Sequence, residues 1–166
     1  RYPAPPGVVA NIPGLECAGI IESVGEGVAI ERVGEPVMAL VAGGAYAERV
    51  VVHERELIRR PRGLDPVAAA AIPEAFATAY DALFLQAGLQ AGETLLVHAV
   101  GSGVGLAALA LAKRSGARVV GTSRTADKLR RAALLGLDVG VLSTAPGWSD
   151  EVQRHVPRGI DVVLDL

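Results

Sequence analysis

Residues 94–105 read T-L-L-V-H-A-V-G-S-G-V-G, a short apolar run that breaks into a glycine-rich turn, and Leu106 to Lys113 follow at once as a strong helix former. A strand, a tight glycine turn and a helix in that order hold a dinucleotide pyrophosphate. The backbone comes close to the phosphates, and the helix N-terminus aims free N–H groups at them. Gly103, Gly105 and Ala108 meet the spacing G-x-G-x-x-[GA]. The loop residues Ala99, Ser102, Gly103, Val104 and Gly105 are therefore expected to contact a cofactor.

What lies beyond the helix narrows the choice. Gly101, Gly103 and Gly105 also meet G-x-G-x-G, which class I methyltransferases use for S-adenosylmethionine. A fold that binds NAD places Asp or Glu roughly 20 residues past the glycine loop, where it holds a ribose hydroxyl. Here that place reads Gly121-Thr122-Ser123-Arg124-Thr125, with no acid. Arg124 can make charge-assisted bonds to a 2′-phosphate, and Lys128 follows one helical turn later. Thr122, Arg124 and Lys128 thus point to NADP(H) rather than NAD(H), and the missing acid also counts against S-adenosylmethionine.

The elements that must position these residues fall into two patterns. Up to about residue 73, short strands at 18–24, 36–41 and 45–52 alternate with glycine turns, which suggests a compact β-barrel or an irregular β domain. Asp65-Pro66 starts a helix that is interrupted near Pro73, resumes at 75–86 and stops at Gly88. Strands are then expected at 94–99, 118–122, 139–142 and 160–166, with helices at 104–115, 126–135 and 149–155. That alternation means α/β architecture with a parallel sheet. In the order 3-2-1-4 its fourth strand lies at an apolar edge, so a protein of these residues alone is expected to be poorly soluble or oligomeric.

Composition removes other classes. The chain has 51% hydrophobic and 20% charged residues and a net charge of −2, so it has ample core material, and its charge gives no support for nucleic-acid binding. No run approaches the ~20 apolar residues of a membrane span. Cys17 is the only cysteine, which rules out an intrachain disulfide and a cysteine-based zinc cluster and fits a reducing, cytoplasmic setting. It sits in an apolar strand and reads as core. His53, His98 and His155 have no metal-like spacing and read as surface or hydrogen-bonded residues.

Several segments carry a resemblance. They are Ile12-Pro13-Gly14-Leu15-Glu16-Cys17-Ala18-Gly19, Val37-Met38-Ala39-Leu40, Gly43 to Glu48, Ala70 to Tyr80, His98 to Gly105, and Gly159 to Asp165. Over nearly its whole length the chain resembles the medium-chain dehydrogenase/reductase superfamily, and within it the zeta-crystallin-like NADPH:quinone oxidoreductase branch. The resemblance implies a partial GroES-like catalytic domain at 1–73, then a partial Rossmann NADP(H)-binding domain at 74–166, its sheet incomplete at the C-terminal end. The chain is accordingly expected to be an internal segment of a longer enzyme, homodimeric when complete.

The same resemblance implies hydride transfer from NADPH to a quinone or related electron-poor enone. Tyr2 would line the substrate cleft and Thr78 would approach the nicotinamide. Zinc enzymes of the superfamily carry Gly-His-Glu where this chain has Gly14-Leu15-Glu16, so a zinc-independent enzyme is expected. In the family loop A-x-x-G-x-x-G, Ala99 and Gly105 match and Ser102 replaces the middle glycine. Arg124 falls where relatives often have glycine, and Lys128 aligns with a lysine they use near the 2′-phosphate. Enoyl reductases, including those embedded in polyketide or fatty-acid synthases, share these motifs. A non-catalytic nucleotide-binding homologue is the third possibility.

Overall fold

The computed structural model describes residues 11–166. Contacts divide the chain into two units, Arg1–Glu74 and Ala75–Leu166. The first contains a three-stranded antiparallel sheet in the order β1 (Glu16–Ile20), β2 (Pro36–Leu40), β3 (Leu57–Arg59). Its centre is β2, whose Val37, Met38 and Ala39 are buried. Cys17 lies opposite Ala39 in this sheet; it is half-buried and not a core residue as expected, and that burial pushes its thiol up.

The expected strand at 45–52 does not form. Gly43 and Gly44 both adopt positive φ and turn the chain back, and its N–H groups are then used locally. Gly44 donates to the Ile12 carbonyl, Ala45 to that of Gly14, and Tyr46 to that of Pro13. With those donors committed, no ladder starts at 45–47, and the third strand is instead β3, after a 3₁₀ turn at Glu54–Glu56. The first strand also ends earlier than the expected 18–24, although Ile21 still exchanges backbone hydrogen bonds with Glu35 and Gly34.

Two helices follow. Asp65 caps α1 (Pro66–Ala70), its Oδ2 accepting from the Val67 and Ala68 N–H groups, with Pro66 at the first helical position. The next helix, α2 (Pro73–Tyr80), begins at the proline itself, because a residue lacking an N–H loses nothing in a first turn. The Glu74 N–H in that turn donates to Glu16 Oε2 at 2.9 Å. The expected continuation to residue 86 is not α-helical. Asp81–Gln86 form a π-helical segment, closed by Ala87 N–H donating to the Ala82 carbonyl, while Leu83 stays fully buried.

The second unit is a four-stranded parallel sheet with order β6 (Val139–Leu142), β5 (Arg118–Ser123), β4 (Thr94–Val97), β7 (Val162–Leu164). Helices α3 (Gly103–Arg114), α4 (Ala126–Leu134) and α5 (Trp148–His155) connect the strands. The inner strands β4 and β5 are buried almost throughout because both their faces are covered, whereas Val163 on the edge strand β7 is exposed. Leu95, Val97 and Val119 face a cluster with Leu83 and the α3 residues Ala107, Ala108, Leu109 and Ala112. Leu96, Val120 and Val141 face Val152 and Val156 on the other side. The small alanines of α3 let it lie close on the sheet, which brings its N-terminus to the end of β4. Ser102 is its N-cap, so the helix starts at Gly103, one residue earlier than expected.

Asp138, just before β6, ties three parts of this unit together. Its carboxylate takes the Lys113 ammonium of α3 at 2.7 Å and the Val119 N–H of β5 at 2.7 Å. Partial burial pushes its pKa up, but the Lys113 and Val119 hydrogen bonds and the nearby positive charges outweigh that and hold the carboxyl below its usual range. A depressed folded pKa gives stability that is present above the unfolded value and is lost as pH falls through the folded one. Asp138→Asn should therefore lower stability by about 1 kcal/mol near neutral pH. The difference from the parent should narrow as pH drops below about 4 in denaturant titrations. A gap unchanged between neutral and acid pH would rule this role out.

Candidate cofactor site

Parallel strands end on the same edge of the sheet, and ligands of open α/β sheets bind in the crevice past those C-terminal ends. A cavity of about 560 Å³ occupies that edge. Each strand contributes to it through the residues that follow its last ladder position. His98 and Ala99 come after β4; Arg124 and Thr125 come after β5, whose own Thr122 and Ser123 also line the wall. Ser143 follows β6 and Asp165 follows β7. A volume of this size suits a small-molecule or cofactor site.

The floor is the glycine loop. Ala99 has φ of +50°, a conformation that non-glycine residues adopt at a cost of order 1–2 kcal/mol. The loop is held in it by Ser102 N–H donating to the Ala99 carbonyl and Val100 N–H donating to the Thr122 carbonyl. Ser102 Oγ accepts from Gly105 N–H at 3.0 Å, closing the N-cap. The N–H groups of Gly103 and Val104 have no protein acceptor among the described residues. They are the donors this helix terminus offers to an anion.

The loop glycines serve different purposes. A Cβ on Gly105 would stand 2.6 Å from the Ala99 carbonyl oxygen and 2.8 Å from Val100 Cα, so its absence is what lets α3 lie against the loop backbone. A Cβ on Gly101 would stand 2.7 Å from Lys128 Cβ, so the lysine stem passes directly over the loop. A Cβ on Gly103 would meet nothing within 4 Å, and its φ is not positive. Nothing in the protein requires glycine there, whereas a phosphate approaching the helix terminus would. On these observations the loop fits a dinucleotide pyrophosphate.

The residues expected to contact a cofactor sort accordingly. Ala99, Ser102, Thr122, Arg124 and Lys128 all line the cavity. Gly103, Val104 and Gly105 do not line it: Gly103 is exposed, Val104 packs partly on the core, and Gly105 is buried with its N–H given to Ser102. Among the described residues neither Arg124 nor Lys128 has an ion-pair partner. No carboxylate from the end of β5 faces them; the acid on the wall, Asp165, belongs to the strand on the other side of β4. Thr78 is exposed on α2 and does not line the cavity, and Tyr2 lies outside the described residues.

Sequence reasoning passed over His98, Ser143, Trp148 and Asp165. The signal that locates them is positional: each lies just past a strand of the parallel sheet, or at the start of the helix that follows. His98 is indeed hydrogen-bonded, its Nδ1 sharing a bond of 2.9 Å with buried Thr122 Oγ1. Among the described residues no three His, Cys, Asp or Glu side chains gather as metal ligands. Glu16, beside the apolar Leu15, gives an oxygen to the Glu74 N–H.

Comparison with known proteins agrees with this geometry. The family model for the alcohol dehydrogenase GroES-like domain matches residues 1–62, and that for zinc-binding dehydrogenase matches residues 103–166. The synaptic vesicle membrane protein VAT-1 homolog of Danio rerio is 35% identical over 165 residues, covering 99% of this chain and 33% of that protein. The erythronolide synthase of Saccharopolyspora erythraea is 41% identical over 155 residues, 92% of this chain and 4% of the synthase. Among solved structures, a quinone oxidoreductase of Pseudomonas syringae pv. Tomato matches with 30% identity and a TM-score of 0.83, covering 94% of this chain and 48% of its own. The CurK enoyl reductase matches with 31% identity and a TM-score of 0.84, covering 92% and 46%. The chain thus spans a third or less of these curated relatives and about half of these solved chains.

Alanine at two loop glycines should separate packing from ligand approach. Gly105→Ala should cost of order 1–3 kcal/mol in unfolding free energy, because backbone atoms stand in the way. Gly103→Ala should leave stability unchanged or raise it by up to about 1 kcal/mol through helix propensity. Equal melting temperatures for the two variants would contradict the assignment.

Proposed function

The chain belongs to the medium-chain dehydrogenase/reductase superfamily, and from that premise we propose that it forms the cofactor-binding part of a zinc-independent NADPH-dependent reductase of quinones or related electron-poor enones. Members of this oxidoreductase superfamily bind nicotinamide cofactors and act on small molecules. The observation that carries the choice of NADPH is the pair Arg124 and Lys128 on the cavity wall, with no carboxylate from the end of β5 beside them.

The fit divides among named residues. The N–H groups of Gly103 and Val104 take a pyrophosphate oxygen, and Ser102 fixes the turn that presents them. Lys128, its stem laid over Gly101, and Arg124 take the 2′-phosphate. A bound reduced nicotinamide supplies the hydride. What the protein adds is orientation and exclusion of water, so no acid–base pair is required of this chain. Thr78 and Tyr2 remain our candidates on the nicotinamide and substrate side, by their family positions.

Zinc independence rests on the residues that stand where a metal would be held. Leu15 offers no ligand atom, Cys17 is a half-buried thiol whose burial disfavours the thiolate, and Glu16 is engaged with the first turn of α2. The second reading, an enoyl reductase, is favoured by the likeness to the CurK enoyl reductase structure and accords with the 41% identity to the erythronolide synthase. Both readings share the cofactor site and differ in the acceptor.

Lys128→Met and Arg124→Gln should each weaken NADPH binding about tenfold while changing NADH binding less than about twofold. Calorimetry with both cofactors checks this, and equal affinity of the parent for NADH and NADPH would overturn the assignment. For the acceptor, NADPH consumption by the full-length polypeptide is measured with 9,10-phenanthrenequinone and with a crotonyl thioester. Turnover of the quinone supports the first reading; turnover of the thioester alone replaces it with the second. Tight NADPH binding without either turnover defeats both.

A further inference from the structure

We propose that His98 couples dinucleotide binding to the uptake of a proton, so that the site holds its cofactor more tightly as pH falls; this rests on the dinucleotide reading of the cavity. His98 stands directly after β4, its N–H donating to the Leu164 carbonyl and its half-buried ring lining the cavity. The same lining holds two cations, Arg124 and Lys128, and one acid, Asp165. Carboxylates, guanidinium groups and ammonium groups ordinarily keep their charge between pH 5 and 8, whereas an imidazole changes its own there. His98 is thus the lining side chain through which a proton enters the charge balance of the site in that range.

The ring is fixed in a way that survives a change of charge. Its Nδ1 shares a bond of 2.9 Å with Oγ1 of Thr122, which is 2% exposed. A hydroxyl donates to a bare ring nitrogen and accepts from a protonated one, so the bond persists whether the proton arrives at Nδ1 or at Nε2. Thr122 is tied in turn, because its carbonyl takes the Val100 N–H of the glycine loop. Trp148 packs against the imidazole at 86° with ring centroids 5.7 Å apart, which holds it in one orientation.

What the protein does not supply is a partner for the positive form. Among the described residues His98 forms no ion pair. Arg124 and Lys128 oppose a further positive charge on the cavity wall, and Asp165 alone favours one. A bound dinucleotide reverses that balance, since its pyrophosphate is anionic and a 2′-phosphate adds to it. The proton passes from solvent to the free ring nitrogen, and no other bond is made or broken. By linkage, proton and dinucleotide strengthen each other's binding by the same factor.

The test measures NADH, because the 2′-phosphate of NADPH changes its own charge near about pH 6 and would mask the effect. In calorimetry on the full-length polypeptide, the affinity of the parent for NADH should fall about tenfold from about pH 6 to about pH 8. In His98→Gln it should change less than about twofold over the same range. The two proteins should agree near the upper pH and differ near the lower one. A histidine that served only to pack would not give this pattern, since its loss would weaken binding equally at both. Midway in the range the parent should take up a fraction of a proton on binding NADH, read from the heats in buffers of different ionisation enthalpy, and His98→Gln none. Should His98→Gln fail to fold, His98→Phe keeps a ring against Trp148 without a titrating group and is read in the same way. If the parent binds NADH with no proton uptake, or the variant keeps the parent's pH dependence, the inference falls while the dinucleotide reading stands. If the parent binds neither NADH nor NADPH, the dinucleotide reading itself falls.

Discussion

Everything at the cavity depends on how near the first turn of α3 comes to the end of β4. The helix N-terminus is useful to an anion only if its N–H groups reach the crevice and are not spent on the loop. Gly105 permits that approach, since any side chain there would collide with the Ala99 carbonyl and Val100. Ala99 meets the other half of the demand by accepting a left-handed φ without the help of glycine. The strain is offset by two backbone hydrogen bonds and a side-chain cap made by Ala99, Val100, Ser102 and Gly105 with Thr122 of β5. Stability spent locally leaves two donors open at a chosen place, a recurring bargain at binding loops.

Electrostatics at the site is a matter of arrangement and not of totals. The chain carries a net charge of −2, yet two cations stand together on one cavity wall. The nearest acid in sequence, Asp127, does not neutralise Lys128. Its two oxygens are taken by Arg130 and Arg131, three and four residues further along α4. On the opposite end of α3, Lys113 is likewise matched with Asp138. The cations that help hold the unit together are paired, whereas Arg124 and Lys128 on the cavity wall have no ion-pair partner among the described residues. Local pairing of this kind shapes a site's field far more than net charge does, because salt screens charges beyond about 8–10 Å.

The second unit was legible in the sequence because its signals are strong and local. Apolar runs bounded by glycine, with helix formers between them, fixed four strands and three helices to within a few residues. A strand buried on both faces leaves few other readings of such a run. The loop, Arg124 and Lys128 were found by spacing alone. The first unit was harder. Residues 45–52 have β-type composition, but where their backbone donors go is decided by Ile12, Pro13 and Gly14, more than thirty residues away. Conversely Leu57–Arg59 is too short and too polar to announce itself, and becomes a strand by pairing with β2. Trp148 and His98 were missed for a similar reason: their meeting at a cavity follows from the strand order, which no single window contains.

The π-helical segment at Asp81–Gln86 has a consequence for how this chain tolerates change in length. A ring closed over five residues holds one more residue than an α-helical turn, so the segment amounts to a single-residue insertion absorbed without breaking the helix. The absorption is complete, since Ala79 before the bulge and Leu83 within it both remain fully buried. Phe84 meanwhile turns to meet Tyr80, with ring centroids 5.2 Å apart. Homologues one residue shorter in this stretch would then need no rearrangement of the sheet beneath. An alignment gap at this point would mark a change of helical pitch and not the loss of a contact.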